Sequence, residues 1–475
     1  MIALSASPSA MRVEEDFLGQ REIPADAYYG VQTLRGRDNF HITGIPMSLE
    51  PCFVRALGYV KKAAALANRD LGVVNARIAD SIATACDRLI AGEMREQFVT
   101  DFIQGGAGTS TNMNANEVIA NLALELLGHK KGEYHYVSPN DHVNFGQSTN
   151  DVYPTAFRLA LIMRLASYIG ALNRLQQALF AKAAEFGRVL KMGRTHLQDA
   201  VPMSLGQEFH GWGTTIGEEV QRTDEAISLL HEINLGATAI GTTVTAAPGY
   251  PELATKYLSE LTGTQFILAG DLIEATSDTG AYVLLSGILK RTSVKLTKIC
   301  NDIRLLASGP RCGFNEINLP QMQPGSSIMP GKVNPVVPEV VNQVGFLVIG
   351  LDLTVTLAAS AGQLQLNVME PVITFALFTS IATMENAVNS LTVNCIEGIT
   401  ANAQRTRDMV LNSLGIITLL KPALGYKQCA DVAHEGHLTG KSLHDIIVVE
   451  RKLMSQEHWD QVFSFENLIS PKFEQ

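Results

Sequence analysis

Long helical patterns dominate the middle of this 475-residue sequence and limit its possible folds more than any other feature. They cover residues 155–190, 206–230, 279–306 and 338–361. Helices of about 25–35 residues are roughly 40–50 Å long, which is longer than one compact subunit of this size easily covers on all sides. We therefore predict a mostly α fold with a long central helical bundle that oligomerisation completes.

The third helical pattern contains a seam typical of helix packing. Its positions alternate in spacing between four and three residues, so they lie on one face that should meet a neighbouring helix. Strand-like alternation is scarce elsewhere in the chain. The seam consists of Leu285, Leu289, Thr292, Leu296, Ile299, Ile303 and Leu306.

Changes in pattern along the chain predict a three-domain subunit. Residues 1–149 form an N-terminal domain rich in loop motifs, and residues 150–404 form the long-helix bundle. Residues 405–475 have shorter periods and more polar residues, which indicates a small C-terminal helical domain. Residues 1–10 lack the basic and apolar regions of a signal peptide and are interpreted as a loose extension.

Net charge, hydropathy and cysteine usage argue against binding to nucleic acid, against membrane insertion and against an oxidising compartment. The chain has 37 Lys and Arg against 47 Asp and Glu, a net charge of -10, so its overall field repels nucleic acid and anionic membranes. The most apolar stretch, residues 344–359, is shorter than a membrane span and carries Asp352 near its middle, which would be costly in lipid. Six scattered cysteines without metal-ligand spacing fit a reducing cytoplasm.

The segment GSSIMPGKVNP, residues 325–335, combines two hydroxyls, a cation and an amide. Its glycines and prolines predict a loop, and this combination of side chains is suited to binding a carboxylate. The alternative is a Ser/Gly-rich connector in which Lys332 faces solvent. Loops with this much side-chain chemistry are usually functional.

Three further loop-like segments are also rich in Gly, Ser, Thr, Asn and His. Residues 104–114 (QGGAGTSTNMN) can approach an anion closely or simply cap a helix beginning near residue 116. Residues 138–151 place three polar side chains before a long helix, where they can bind a carboxylate, and His142 is either an acid–base group or a structural histidine. Residues 192–203 contain Thr195 and His196. This segment is either a functional loop, or His196 is a histidine of the core.

The reaction class follows from what these segments offer. The sequence has neither the spacing of a catalytic metal site nor a dinucleotide-binding glycine motif, so a cofactor-free reaction on a small polycarboxylate is what remains. Hydroxyls, amides and Lys332 can stabilise the enediolate that forms when a proton is removed next to a carboxylate.

The sequence resembles the aspartase/fumarase superfamily over nearly the whole chain from about residue 12. Its signature GSSxMPxKxN is satisfied by residues 325–334. The segments GGAGTS (105–110), DLIEATSD (271–278), VVPEVVNQ (336–343) and AGQLQLNVMEP (361–371) resemble the aspartase branch. Class II fumarases normally differ at each of these four places.

The resemblance implies a homotetramer whose active sites are each built from three subunits, with no required cofactor. It implies reversible anti-elimination of ammonia from L-aspartate to give fumarate, and leaves divalent-cation stimulation open. By motif position, Ser326 resembles the general base, and Asn150 and His196 would lie near the departing amine. The residues that resemble the β-carboxylate side are Thr109, Ser148, Thr149 and Ser327, and those on the α-carboxylate side are Thr195, Lys332 and Asn334.

Departures from the family pattern affect the expected substrate preference more than the reaction class. Phe145–Gly146 replaces a small or basic pair, and residues 243–245 (TVT) replace Gly-Leu-Asn. The alternative within the class is a class II fumarate hydratase acting on L-malate. An alternative from another class is a non-catalytic structural homotetramer, against which the intact site residues argue.

Overall fold

The computed structural model describes residues 10–469, and α-helices dominate this part of the chain. The predicted mostly α fold is therefore confirmed. The helices are α1 (Val31–Asn39), α2 (Pro51–Asp70), α3 (Ala76–Ile90), α4 (Thr109–Leu126), α5 (Thr149–Glu185), α6 (Leu205–Ile227), α7 (Tyr250–Thr262), α8 (Leu272–Ser277), α9 (Gly280–Leu306), α10 (Val336–Ser360), α11 (Glu370–Asn394), α12 (Ala403–Asn412), α13 (Lys421–Thr439), α14 (Gln456–Val462) and α15 (Phe465–Ile469).

The strands are short and pair only in twos within the described residues. Three pairs are antiparallel, and the pair β5–β6 is parallel. The strands are β1 (Met11–Asp16), β2 (Gly19–Pro24), β3 (Leu190–Thr195), β4 (Gln198–Ser204), β5 (Glu232–Ile233), β6 (Ile267–Leu268), β7 (Ile317–Asn318) and β8 (Thr400–Ala401).

The long predicted helices correspond to α6, α9 and α10 within three residues, whereas α5 begins six residues before the predicted start and ends five residues before the predicted end. Every residue of the predicted seam in α9 is at most 5% exposed, so the seam is a buried face. Helix α4 begins at Thr109 rather than near residue 116, because its first turns bury asparagines where an amphipathic pattern would have apolar residues. Those buried asparagines are Asn112, Asn114 and Asn116.

The described chain divides into two compact units. The first contains residues 10–169, 221–291 and 346–384, and the second contains residues 170–220, 292–345 and 385–469. The predicted three-domain division therefore stays a prediction. Most of the predicted N-terminal extension, residues 1–9, lies outside the described residues.

Aromatic side chains form the centre of the first unit. The ring of Phe53 lies 5.1 Å from that of Tyr153 and 5.9 Å from that of Phe378, and Phe157 lies 4.7 Å from Tyr282. Edge-to-face and tilted pairs of this kind add to the stabilisation from burial. They join α2, α5, α9 and α11 at the level where α5 begins.

The second unit contains the core of the predicted C-terminal domain. Residues from α12 to α15 bury Val410, Val432, Trp459 and Phe463, and Leu190 of β3 belongs to the same cluster. The hairpin β3–β4 is therefore anchored on this C-terminal core.

Three segments are long and apolar enough to cross a membrane by length and composition alone: α5, α10 and residues Glu370–Gly398, with the bent pair of α12 and residues 414–439 as a fourth. Helix α5 buries Asp151 and Arg158 inside its unit. Helix α10 buries Asp352, which accepts hydrogen bonds from Ser286 Oγ at 2.8 Å and Lys290 Nζ at 2.5 Å. Satisfied buried charges of this kind are typical of a protein interior, because they are costly in lipid.

Candidate active site

Residues 325–335 form an irregular loop before α10, as predicted. Two hydrogen bonds close it: Gly325 N donates to Lys332 O, and Asn334 Nδ2 donates to Gly325 O, both at 2.7 Å. A Cβ on Gly325 would lie 2.7 Å from Lys332 O, so the close approach needs glycine. The tip is open to solvent, since Ile328 is 83% exposed.

The hydroxyl of Ser326 lies in a setting that favours negative charge. Its Oγ accepts hydrogen bonds from Met329 N at 2.9 Å and Ile328 N at 3.2 Å. Two backbone donors directed at one oxygen stabilise an alkoxide relative to the alcohol. Ser327 and Lys332 are exposed on the same loop.

Thr195 and His196 lie at the tip of the β3–β4 hairpin, so the prediction of a loop over residues 192–203 is wrong. A bulge between Met192 and Arg194 obscures the strand period in the sequence. His196 and Leu197 form a two-residue turn with φ values of 55° and 61°, as in a type I′ turn, where Asn-Gly is preferred. Non-glycine residues in this region are strained, and such strain clusters at functional sites.

Buried charges fix the base of this hairpin. Glu316 is 1% exposed, and its carboxylate pairs with Arg194 Nη1 at 2.6 Å and with Lys191 Nζ at 3.3 Å. Lys191 also pairs with Glu208. The exposed turn is thus held on a rigid support, which is what a substrate-binding side chain requires.

In the first unit, Ser148, Thr149 and Asn150 lie at the N-terminus of α5. The next residue, Asp151, is fully buried, and its carboxylate accepts hydrogen bonds from Ser148 N at 3.0 Å and Thr238 N at 2.9 Å. Asn150 Nδ2 donates to Ala239 O at 2.7 Å. The first turn of α5 is therefore held against residues 236–239, and a helix N-terminus favours an anion there.

Thr109 lies close to this region, at the N-terminus of α4. The backbone turns into the helix through Gly106, Ala107 and Gly108, which all have positive φ. Asn112, one turn into α4, donates to Thr149 Oγ1 at 3.2 Å. The structure therefore brings the first turns of α4 and α5 together, and with them the predicted residues Thr109, Ser148, Thr149 and Asn150.

His142 has a structural role in the described fold. It lies in a π-helical turn, Pro139–Val143, and its Nδ1 accepts a hydrogen bond from Ser138 N at 2.8 Å. Burial lowers its pKa, which favours the neutral ring that this acceptor role requires. The structural alternative for this histidine is favoured.

The predicted site residues thus form two sets, one in each compact unit. The first set is Thr109, Ser148, Thr149 and Asn150, and the second is Thr195, His196, Ser326, Ser327, Lys332 and Asn334. Among residues 10–469, no three His, Cys, Asp or Glu side chains are grouped so that they could hold a metal ion.

Sequence reasoning missed the buried polar residues beneath the first set. Lys61 of α2 is fully buried and donates to Asn144 Oδ1 and Gln147 Oε1, both at 2.9 Å. Burial raises the pKa of Asp151 to about 7, against its backbone hydrogen bonds and the charge of Lys61. The available signal was a lysine on the apolar, alanine-rich face of α2.

Comparisons with known proteins agree with this arrangement. A family model described as Lyase matches residues 19–350, and a model described as fumarase C C-terminus matches residues 416–470. An aspartate ammonia-lyase from Helicobacter pylori is 54% identical over 461 residues, which cover 97% of this chain and 98% of the relative.

Solved structures match equally fully. A crystal structure of fumarate lyase:delta crystallin from Brucella melitensis bound to cobalt has a TM-score of 0.93 and 49% identity, covering 95% of this chain and 98% of that one. A class II fumarase from Schistosoma mansoni has a TM-score of 0.91 and 34% identity, covering 98% of this chain and 100% of that one. The identity falls from the aspartate ammonia-lyase to the fumarase, while the fold is shared.

Proposed function

Since the chain belongs to the aspartase/fumarase superfamily of lyases, we propose that it is an aspartate ammonia-lyase, which converts L-aspartate reversibly to fumarate and ammonia. The observation that carries this proposal is the 54% identity to an aspartate ammonia-lyase over 97% of the chain. The class of enzyme is a carbon–nitrogen lyase.

The proposed reaction begins with removal of a Cβ proton by Ser326. The electron pair of the C–H bond moves into the β-carboxylate and gives an enediolate, which then collapses to the Cα=Cβ bond as the C–N bond breaks and ammonia leaves. The hydrogen bonds from Ile328 N and Met329 N to Ser326 Oγ support this role, because they lower the cost of the alkoxide.

The β-carboxylate is assigned to the hydroxyls of Thr109, Ser148, Thr149 and Ser327. Neutral donors at a helix N-terminus bind an anion more strongly as its charge increases, so they stabilise the enediolate more than the substrate. The α-carboxylate is assigned to Thr195, Lys332 and Asn334, and the amine lies near Asn150 and His196. The glycines and prolines around Ser326 suit a lid that closes over the substrate.

We further propose that the protein is a homotetramer in which one subunit supplies the first set of site residues and others supply the second. The exposed apolar side of α10 supports this proposal, since Phe346, Leu353 and Leu357 are each 58–62% exposed. A large exposed apolar patch marks an interaction site. Neighbouring copies of the same helix would bury it.

The proposed enzyme needs no cofactor, acts on small molecules in the cytoplasm, and binds neither nucleic acid nor membrane. The net charge of -10 supports the last point. The negative overall charge repels an anionic substrate, so the site needs a local positive charge. This requirement supports Lys332 as a ligand of the carboxylate.

The test is fumarate formation, followed by ultraviolet absorbance, with L-aspartate and L-malate offered in parallel. We expect fumarate from L-aspartate together with an equal amount of ammonia. Fumarate from L-malate alone would make the protein a fumarate hydratase, as the shared fold with the Schistosoma fumarase allows. No product from either would favour the non-catalytic structural homotetramer.

A further inference from the structure

A buried lysine lies beneath the first set of site residues and has no part in the mechanism above. Lys61 has no exposed surface, and its Nζ donates to the amide oxygens of Asn144 and Gln147. Burying an amine against neutral acceptors costs stability. A side chain buried at such a cost is a candidate for a role in function.

Hydrogen bonds connect Lys61 to Thr149. Asn144 Oδ1, which accepts from Lys61, also accepts from Asn112 Nδ2 at 3.1 Å. The same Asn112 amide donates to Thr149 Oγ1 at 3.2 Å. Hydrogen bonds thus run continuously from Lys61 of α2 through Asn144 and Asn112 of α4 to Thr149, the first residue of α5.

A second connection runs through Gln147. Lys61 Nζ fixes Gln147 Oε1, while Gln147 Nε2 donates to Val143 O at 3.0 Å. Gln147 immediately precedes Ser148, so these hydrogen bonds hold the chain just before α5 begins. Both connections end on residues assigned to the β-carboxylate.

The charges around Lys61 come from several elements. Burial lowers the pKa of Lys61 to about 7, whereas the charge of Asp151 in α5 favours the ammonium. The thiol of Cys86 in α3 also lies near, but burial raises its own pKa well above the usual value, so it stays uncharged. Asp151 itself holds Ser148 N. Lys61 therefore holds Gln147, and Asp151 holds Ser148, through direct hydrogen bonds.

We propose that Lys61 is a positioning residue, which fixes the Thr149 hydroxyl through Asn144 and Asn112 and the Ser148 backbone through Gln147. This inference rests on the proposed function, because it assigns these groups to the β-carboxylate. Asn144 Oδ1 also accepts from Asn116 Nδ2 at 3.1 Å, so removing the amine leaves it with two amide donors. We expect Asn144 and Asn112 to shift in response, and the hydroxyl of Thr149 then loses its orientation toward the carboxylate. A displacement of about 1 Å in such a group costs on the order of 100-fold in rate.

Lys61→Met tests this inference, with Lys62→Met as the matched control. Lys62 is the next residue in α2, but its Nζ pairs with Asp87 Oδ1 at 2.5 Å on the outer side of the helix. We expect Lys61→Met to lower kcat/KM for L-aspartate by about 10- to 100-fold and Lys62→Met to stay within about twofold of wild type. Equal values for both variants would overturn the proposal.

A double-mutant cycle with Thr149→Val separates positioning from general damage. The readout is the dissociation constant of succinate, a dicarboxylate without the amine. If Lys61 acts through Thr149, Lys61→Met weakens succinate binding by a larger factor in the wild-type background than in the Thr149→Val background, where only the connection through Gln147 remains. Independent, additive losses would overturn the inference.

Two further measurements keep the outcomes distinct. If Lys61→Met lacks the wild-type circular dichroism spectrum, Asn112→Ser replaces it in the cycle, because Asn112 is the direct donor to Thr149. Additive losses of succinate binding in the Asn112→Ser and Thr149→Val variants would break the proposed connection to Thr149 and overturn the inference. A wild-type protein that binds succinate but forms no fumarate from L-aspartate would reject the proposed function, while the succinate cycle would still decide the role of Lys61.

Discussion

At the scale of single residues, Ser326 has the most demanding proposed role, because a serine hydroxyl is normally far too weak a base to take a proton from carbon. The two backbone donors at 2.9 and 3.2 Å make deprotonation of Ser326 less costly, because they stabilise the alkoxide. Substrate binding and exclusion of water by the loop would supply the rest.

Lys332 gives a prediction at the same scale. As the cation assigned to the α-carboxylate, it should contribute about 2 kcal/mol to substrate binding through a charge-assisted hydrogen bond. Lys332→Ala should therefore raise KM for L-aspartate by about 30-fold. Lys256→Ala is the control, because Lys256 is 68% exposed in its side chain and pairs only at 3.8 Å with Glu260. An unchanged KM in Lys332→Ala would mean that Lys332 faces solvent.

Glu370, at the start of α11, gives a prediction about pH. Burial raises its pKa to about 8, although the charge of Arg158 opposes the shift. The folded-state pKa thus lies above the value of 4.5 for a free side chain, so the folded protein binds this proton more tightly. Its contribution to stability is complete below about pH 4.5 and is lost as the pH rises towards 8.

Glu370→Gln removes the titration and keeps the shape. We expect the melting temperature of the variant to rise relative to wild type between pH 6 and pH 9, by an amount equivalent to about 2–3 kcal/mol. Thermal unfolding of both proteins at the two pH values measures this difference. The same difference at pH 6 and pH 9 would show that Glu370 does not titrate in this range, which would contradict a pKa of about 8.

At the scale of elements, the long helices were predictable because their apolar residues recur at helical spacing over many turns. The first turns of α4 were not, since Asn112, Asn114 and Asn116 occupy buried positions that only their hydrogen bonds make acceptable. The β3–β4 hairpin was missed because of its bulge and because His196–Leu197 is an uncommon turn sequence.

Gly108 gives a prediction at this scale. Its φ is +95°, and a Cβ there would lie 2.2 Å from the ring of Tyr153. Gly128, just after α4, has a similar φ of +84° but nothing within 4 Å of the added atom. Gly108→Ala should destabilise the protein by about 3 kcal/mol or more and lower activity through Thr109, whereas Gly128→Ala should cost about 1 kcal/mol.

Denaturant unfolding and aspartate turnover of the two glycine variants make the comparison direct. Both carry the same backbone strain, so the excess loss in Gly108→Ala isolates the contact with Tyr153. Equal losses in stability would contradict the close packing of α5 against the start of α4.

At the scale of the whole molecule, the proposed site residues are divided between two compact units. In a homotetramer with shared sites, two inactive variants can complement each other. Thr149→Val damages the first set and Ser326→Ala the second, so a mixed oligomer contains some sites with neither change. Co-expressed variants should recover a substantial part of the wild-type rate.

Mixing the two purified variants without subunit exchange is the control, and light scattering checks that all samples are tetramers. A co-expressed sample no more active than the sum of its parts would contradict shared sites. It would place both sets of residues in one subunit.

The sequence motifs located the proposed site residues because each lies in a segment unusually rich in Gly, Ser, Thr, Asn and His. They could not locate Lys61, Asn112 or Asp151, whose importance depends on three-dimensional contacts with Asn144, Thr149 and Thr238. They also could not show that His142 accepts a hydrogen bond from Ser138 N. Sequence motifs identify the residues proposed to touch the substrate. The residues that hold those side chains in place can be identified only from the three-dimensional structure.

The most direct test of the central claim is the turnover of L-aspartate by Ser326→Ala, with fumarate and ammonia both measured. We expect kcat to fall by at least about 100-fold, as for loss of a general base, with the circular dichroism spectrum and oligomeric state unchanged. A folded Ser326→Ala oligomer that retains a large share of wild-type turnover would contradict the assignment of Ser326 as the base.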